Sequence, residues 1–243
     1  MATSKREPLR IQLVSDNKLR EDVFRLRYRA YLSEGEIPES RSGKFSDDYD
    51  EKPNQVTWAL FDGDKMVGTM RSMFYQPSSS LMLPEHKVYG DLLVKSVPAD
   101  VRVVSGNRFA VDPDSDRNDK RYSFALLKHH MMVALVKADW AVAAVRTNHL
   151  AFYRRVLQMQ VSSEPRFYDE MNSGFTLLSA NVLDNYSAIC SRHPSLRAST
   201  ADLALLKSIP ASFDAPYIPE SKDESEATGI EAKGRIIAAP LEV

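Results

Sequence analysis

Val103-Val104-Ser105-Gly106-Asn107-Arg108-Phe109-Ala110-Val111-Asp112-Pro113 is the stretch on which the fold turns. β-Branched and aromatic residues run from Val103 to Val111, and Asp112-Pro113 stops them, so the run reads as a buried strand. Over residues 122–136 apolar side chains recur at helical spacing: Phe124, Leu127, Met131 and Leu135, with Val133 and Val136 beside them. The polar run 114–121 joins the two. A strand that feeds a helix through a polar turn offers free backbone N–H groups and the positive helix end to whatever sits there. A pyrophosphate or a phosphopantetheine arm suits such a place. An ordinary strand–turn–helix unit with a solvated loop has the same pattern.

Upstream, residues 11–14 read as a short strand, with Ser15 or Asp16 as the N-cap of a helix over residues 18–32. Arg20, Arg25, Arg27 and Arg29 on that helix read as a solvated face that can also meet an anionic ligand or an acidic partner. Residues 33–55 lack apolar periodicity and carry the acidic run Ser46-Asp47-Asp48-Tyr49-Asp50-Glu51. Long ordered loops in compact domains tend to be functional. These acids can hold an amine, a metal or water, and with no histidine nearby the metal is least supported. Residues 56–61 and 66–74 are strands joined by the hairpin turn Asp62-Gly63-Asp64-Lys65. Gly68 implies a bulge or a close backbone approach. Arg71 stands mid-strand and needs a partner if it points inward. Residues 76–100 are irregular, with a helical turn at 89–94.

Downstream, residues 140–147 form the next strand. Asn148 caps a short helix that runs to Leu157, strands follow at Val161 and at 174–179, and residues 181–190 make an amphipathic helix. Past about residue 193 the composition changes. Residues 201–208 fit one more short helix, and residues 219–226 are polar and charged, as disordered chains are. The expected organisation is one domain over 1–195 and a partly disordered C-terminal extension over 196–243. The formal net charge of −1 gives no support to a nucleic-acid partner. The single cysteine, Cys190, cannot form an internal disulfide, and no Cys/His cluster has zinc-site spacing, so no metal is expected. Residues 1–10 lack the apolar core of a signal peptide, and no apolar run reaches the roughly 18 residues that span a bilayer. The expectation is a cytoplasmic protein with no integral membrane segment.

The element order is strand, helix, loop, hairpin, central strand, turn–helix, strand, short helix, strand. This order resembles the GNAT (N-acetyltransferase) superfamily. The resemblance implies an α/β (α+β) fold: a mixed, mostly antiparallel central sheet flanked by helices and splayed between its two central strands. Residues 148–157 resemble that superfamily's late motif, whose tyrosine near the leaving thiol is matched by Tyr153. Within the superfamily the chain is similar to the acyl-homoserine-lactone synthases and the long-chain N-acyl amino acid synthases. Arg20-Glu21-Asp22-Val23-Phe24 resembles their Arg-x-x-Val-Phe pattern, and Asp47-Asp48-Tyr49-Asp50 their Asp-x-x-Asp loop. Gly68-Thr69-Met70-Arg71 and Ser105-Gly106-Asn107-Arg108-Phe109 resemble their Gly-x-x-Arg and Glu-x-x-Arg-Phe strands. The order and spacing hold from about residue 10 to 180. Ser105 stands where the lactone synthases have Glu, and their early Trp is missing around Ala30-Tyr31. Residues 25–32 and 152–157 are more similar to the N-acyl amino acid synthases. The resemblance therefore implies an N-acyltransferase that moves a fatty acyl group from an acyl carrier protein thioester to the amine of an amino acid. Lactone synthesis from S-adenosylmethionine and N-acetyl transfer from a small acyl-CoA are the alternatives.

The glycine-rich acetyl-CoA loop common in the superfamily is also missing. The turn Asp116-Arg117-Asn118-Asp119-Lys120-Arg121-Tyr122-Ser123 has no glycine to wrap a pyrophosphate closely. It suits the single phosphate of a phosphopantetheine arm at the N–H groups of Tyr122 and Ser123, with Arg117, Lys120 and Arg121 facing an acidic carrier protein. A solvated loop has the same composition. Acyl transfer to an amine requires loss of the amine's proton, a donor to the thioester oxygen and departure of the thiolate. The resemblance places the N–H groups around Phe109, Ala110 and Val111 on the thioester carbonyl and the pantetheine in the splay. Asp47, Asp48 and Asp50 are candidates to bind or deprotonate the acceptor's ammonium; Arg71 and Arg108 are candidates to hold its carboxylate or to pin the acids. Ser105 cannot act as a carboxylate base, so a water or another acid must. Arg20 and Phe24 complete the expected substrate-binding set. Met70, Met73 and Phe74 line an acyl tunnel or pack the core. No nucleophile with a paired base is evident, which favours direct attack. The acyl-phosphopantetheine thioester, on carrier protein or CoA, is then a co-substrate, and no tightly bound cofactor is expected.

Overall fold

Asp16 begins the first helix as its residue type predicts. It ends the loop after β1 (Arg10–Leu13), and its carboxylate accepts the Leu19 N–H at 2.8 Å, capping α1 (Asn17–Ser33). The computed structural model describes residues 8–98, 100–115 and 120–207. After α1 a long loop holds a 3-10 turn, Asp48–Glu51. β2 (Gln55–Asp62) and β3 (Lys65–Tyr75) form the expected hairpin, with Gly63 in the left-handed region at φ +59°. α2 (His86–Ser96) is longer than expected and kinks at Tyr89, whose hydroxyl is held by the Phe175 carbonyl at 2.5 Å. β4 (Val103–Val111), α3 (Arg121–Lys137) and β5 (Trp140–Arg146) follow. α4 (Leu150–Arg155), β6 (Gln160–Val161), β7 (Arg166–Phe167), β8 (Gly174–Asn181), α5 (Val182–Arg192) and α6 (Thr200–Lys207) complete the described chain. The expected Asn148 cap does not form. Residues Thr147–His149 make a 3-10 turn first, and His149 precedes α4 with no side-chain bond to it.

The described strands form one mixed sheet in the order β1-β2-β3-β4-β5-β8-β6, with β7 beside β6 on the same edge of β8. Every pairing is antiparallel except that of β4 with β5. This is the GNAT-like sheet that the element order implied. On one face Val56, Trp58, Phe74 and Val104 pack with Met132 and Val133 of α3, Val182 of α5 and Leu206 of α6. On the other, Met73, Tyr75, Val103 and Val142 pack with Tyr89 and Leu93 of α2, while Leu26 and Ala30 of α1 meet Ala110. The packed body continues past the expected boundary at 195: Leu206 is 1% exposed, and Asp202 lies 3.6 Å from Lys128 of α3. Residues 208–243, most of the expected extension, lie outside the described residues. No helix of the described residues is long and apolar enough to cross a membrane.

One irregularity in β4 shapes everything beside it. Thr69 pairs with Ala110 and Arg71 with Asn107, so Met70 alone faces Arg108 and Phe109. That is a bulge, and Arg108 takes a φ of +49°. One extra residue inverts the side-chain parity of the strand. Ser105 and Asn107 therefore share a face with Ala110, while Phe109 and Val111 pack with Leu60, Met70 and Leu126 on the opposite face. Gly68 marks a close approach, as expected: a Cβ there would lie 2.9 Å from Leu126 Cδ1 and 3.3 Å from the Ala110 carbonyl oxygen. Gly68→Ala is expected to cost about 1–3 kcal/mol of stability by overpacking, read from the urea midpoint of unfolding.

Candidate active site

Strand alternation puts Arg71 in the middle of β3 on the face that carries α1 and the acidic loop. It is 0% exposed, so its charge requires partners. The loop supplies them. Arg71 donates to both Asp47 oxygens at 2.6 and 3.0 Å, lies 2.8 Å from Asp50 Oδ1 and donates its Nε–H to Asn107 Oδ1 at 2.7 Å. Asp47 also accepts from Arg108 Nε at 2.7 Å. Asp50 accepts both of its oxygens' contacts from Arg27 Nη1, at 2.8 and 3.0 Å. A capping box locks the 3-10 turn: Asp47 accepts the Tyr49 N–H at 2.9 Å, and Asp50 accepts the Asp47 N–H at 3.0 Å. Arg27 corrects the expectation of a solvated arginine face, because α1 turns it onto the sheet, where it is 0% exposed. Three guanidinium groups thus surround two carboxylates, leaving one net positive charge against the sheet.

Beside this cluster the sheet opens. β4 and β5 pair only from Val103–Trp140 to Ser105–Val142 and then separate. A cavity of about 600 Å³ fills the gap and the space over it. Its walls include Asp47, Arg71, Asn107, Arg108, Phe109, Ala110 and Val111 on one side and Ala144, Arg146, Phe152 and Tyr153 on the other. Glu85, Lys120, Ser123 and Tyr168 also line it. A smaller apolar pocket of about 60 Å³ adjoins it, sharing Gly106, Leu127 and Tyr153 and continuing to Met70, Ala143 and Ile189.

The structure therefore brings Asp47, Arg71, Arg108, Phe109, Ala110, Val111, Lys120, Ser123 and Tyr153 to one cavity. Asp50 supports the cluster from below the cavity wall, 4% exposed. Ser105 is 0% exposed and donates its hydroxyl to Glu85 at 2.5 Å. Arg20, Phe24 and Asp48 do not line the cavity. Arg20 pairs with Glu51 at 3.2 Å, Phe24 packs with Leu19, Val23 and Ala59, and Asp48 is exposed. They share motifs with the site residues, but the helix and 3-10 periodicities turn them elsewhere. Arg121 and Tyr122 lie at Asp62 of the hairpin, at 3.5 and 2.6 Å, rather than on the cavity. Arg117 lies outside the described residues. Met70 borders the apolar pocket, whereas Met73 and Phe74 are core.

Electrostatics separates these groups. Burial works against ionisation of Asp47, but the hydrogen bonds and charges of Arg71 and Arg108 overcome it and hold its carboxyl well below the usual carboxylate range. Burial pushes the Tyr153 phenol up to about 12, so at neutral pH it keeps its proton and is a donor. Burial lowers the Arg27 pKa against the charge of Asp50. A serine–histidine pair does occur, Ser72 Oγ to His130 Nδ1 at 2.8 Å, but Ser72 is 0% exposed and lines neither cavity. Burial brings His130 down to about 4, with a smaller push from His129, so it packs as a neutral ring. Cys190 is buried in α5. Among the described residues no group of three or more His, Cys, Asp or Glu side chains is arranged to hold a metal ion.

Residues 22–181 match a family model described as N-acyl amino acid synthase FeeM. No curated protein sequence matches the chain. Among solved structures, that of FeeM, an N-acyl amino acid synthase from uncultured soil microbes, is similar with a TM-score of 0.60 at 18% identity, covering 74% of this chain and 94% of that one. A CoA-dependent acyl-homoserine lactone synthase, MesI, gives 0.58 at 19%, covering 78% and 97%. Another, BjaI, with SAM and isopentyl-CoA, gives 0.56 at 19%, covering 82% and 99%. At these identities the likeness is one of fold.

Two outcomes follow from the ion-pair cluster. Asp50→Ala strands the Arg27 guanidinium in the core and is expected to cost about 3–5 kcal/mol. Arg27→Ala costs less, because Asp50 keeps Arg71 beside it; urea denaturation ranks the two. The folded-state pKa of Asp47 is depressed, so its pairing stabilises the fold fully above its unfolded value of about 4 and is lost as pH falls below that. The stability gap between the wild type and Asp47→Asn should narrow below about pH 4, as measured by unfolding at a series of pH values.

Proposed function

The chain belongs to the family of the N-acyl amino acid synthase FeeM and is an N-acyltransferase, and from that premise we propose that it moves a fatty acyl group from an acyl carrier protein thioester to an amino acid's amine by direct attack. The observation that carries this reading is the cavity in the splay. A bulged strand on one wall and a protonated tyrosine on the other flank a space of about 600 Å³, the size of a small-molecule site. A thioester carbonyl laid along residues 109–111 meets backbone donors that β5 leaves unpaired, and these stabilise the oxyanion as the amine adds. Tyr153 donates its O–H to the departing thiolate. The net positive charge of the Arg71–Arg108–Arg27 cluster suits the carboxylate of an amino acid acceptor.

A carrier-protein donor is supported by the glycine-free sequence before α3, with Lys120 just ahead of the helix and Ser123 in its first turn bordering the cavity. Such a sequence suits one phosphate better than a wrapped pyrophosphate. The far end of the acyl chain enters the apolar pocket beyond Leu127. Its volume of about 60 Å³ is roughly that of two waters, so side chains such as Met131 and Met159 must give way to a long chain. Direct attack is supported by Ser72 and Cys190, both buried off the cavity.

The test is mass spectrometry of reactions containing long-chain acyl carrier protein or acyl-CoA with a panel of amino acids. N-acyl amino acids are expected, faster from the carrier protein. Lactone formed from S-adenosylmethionine, or acetyl transfer alone, would overturn the reading. Donor incubated without acceptor should leave the intact protein mass unchanged; an added acyl mass would sink direct attack. Arg108→Ala, which removes one of the two guanidinium partners of Asp47 and a side chain of the cavity wall, should lower kcat/KM about 10- to 100-fold. Ala143→Leu should shift the preferred donor to shorter acyl chains.

A further inference from the structure

Glu85 belongs to no motif and no stretch that the sequence marked as functional. It precedes α2, is 1% exposed and forms part of the cavity wall. Its Oε1 accepts the Ser105 hydroxyl at 2.5 Å. Its Oε2 has no hydrogen-bond partner among the described residues. A buried carboxylate oxygen left unpaired at a cavity wall is costly unless a ligand completes it. Glu85 also ends a chain of contacts. Arg71 donates to Asn107 at 2.7 Å, Asn107 donates to Ser105 Oγ at 3.2 Å, and Ser105 donates to Glu85. The ion-pair cluster thereby orients the carboxylate.

Resting on the N-acyltransferase reading, we propose that Glu85 is the catalytic base that takes the proton from the acceptor's ammonium group. The other carboxylates are poor candidates. Of the carboxylates on the cavity wall, Asp47 is engaged by Arg71 and Arg108, Glu34 by Arg146 and Glu170 by Lys87, while Asp50 lies off the cavity between Arg27 and Arg71. Glu85 takes the side opposite to Asp47: burial raises its pKa, against the Ser105 hydroxyl, its own N–H, the Arg71 charge and, more weakly, the Ala144 N–H. The phenols of Tyr49, Tyr89 and Tyr168 also feel its charge. Two carboxylates whose surroundings drive them apart mark the structural and the proton-accepting partner. In the step, the ammonium gives one proton to Glu85 and becomes a free amine. Its lone pair forms the C–N bond, and the C–S bond breaks with its electrons on sulfur. Tyr153 gives its proton to the thiolate and takes the nitrogen's second proton in its place, and Glu85 returns the first to water. The carboxylate that Ser105 lacks is thus supplied from α2's leading edge, through that same serine.

The test is the pH profile of kcat/KM for N-acyl product formation. The wild type should rise with pH along a limb lying above the ordinary carboxylate range. Glu85→Gln should lose the limb and lower kcat about 100-fold or more, with the KM for acyl donor within about 2-fold. Ser105→Ala keeps the carboxylate but removes a bond that favours its anion, so the limb should move to higher pH. If the wild type turns over and Glu85→Gln keeps both rate and limb, the proposal falls and the acyltransferase reading stands. If the wild type makes no N-acyl product from any donor and acceptor, both fall. If Glu85→Gln does not fold, judged by circular dichroism, Ser105→Ala decides: an unmoved limb overturns the proposal.

Discussion

A guanidinium buried in the middle of a strand is the constraint on which the site depends. Arg71 cannot be left unpaired against the sheet, since an isolated charge there costs more than a fold of this size can spare. Its demand is met by Asp47 and Asp50 of the acidic run 46–51, and this holds the loop after α1 over the sheet. The capping box that joins Asp47 to Asp50 sets the two carboxylates at a spacing that Arg71 bridges. Arg27 and Arg108 then close on the outer sides. A buried ionic network of this kind contributes more to uniqueness of arrangement than to net stability. Here it fixes one wall of the cavity.

The second constraint is one extra residue. The bulge at Arg108 and Phe109 aims Arg108 at Asp47 and reverses the strand's parity. The parallel pairing with β5 has already ended at Ser105. Beyond that point the β4 backbone groups on the β5 side are offered to the cavity, while the other edge stays paired with β3. The same surroundings push two acids in opposite directions. Two arginines hold Asp47 below the usual carboxylate range, whereas burial raises Glu85 against the Ser105 hydroxyl and the Arg71 charge.

Much of this was legible in the chain. Period-two runs with a Gly-containing turn predict the β2–β3 hairpin, and Gly68 is the close approach that its place in a strand implies. Arg71 could be read as a residue in need of partners, and the acidic run 46–51 supplied them. Arg27 could not be told from Arg25 or Arg29 on the same helix. Which arginine faces the sheet depends on how α1 docks, a difference of one helical position. Arg20, Phe24 and Asp48 stood in the motifs with the site residues yet turn away from the cavity for the same reason. Glu85 sat in an irregular stretch between prolines with no periodicity to place it.

The sequence by itself determined the strands, the helices and the presence of a charge that must be paired, because alternation, caps and turns are local and act within a few residues. It also determined the family: the motifs keep their order from about residue 10 to 180, and residues 22–181 match the family model although identity to the similar solved structures is low. Only the tertiary structure decided which charges meet, where the sheet opens and that Glu85 faces Ser105 across a separation of twenty residues in the chain. Those outcomes depend on sheet register, on one bulge and on helix docking. Each is settled by packing among distant segments, and a linear pattern does not record them.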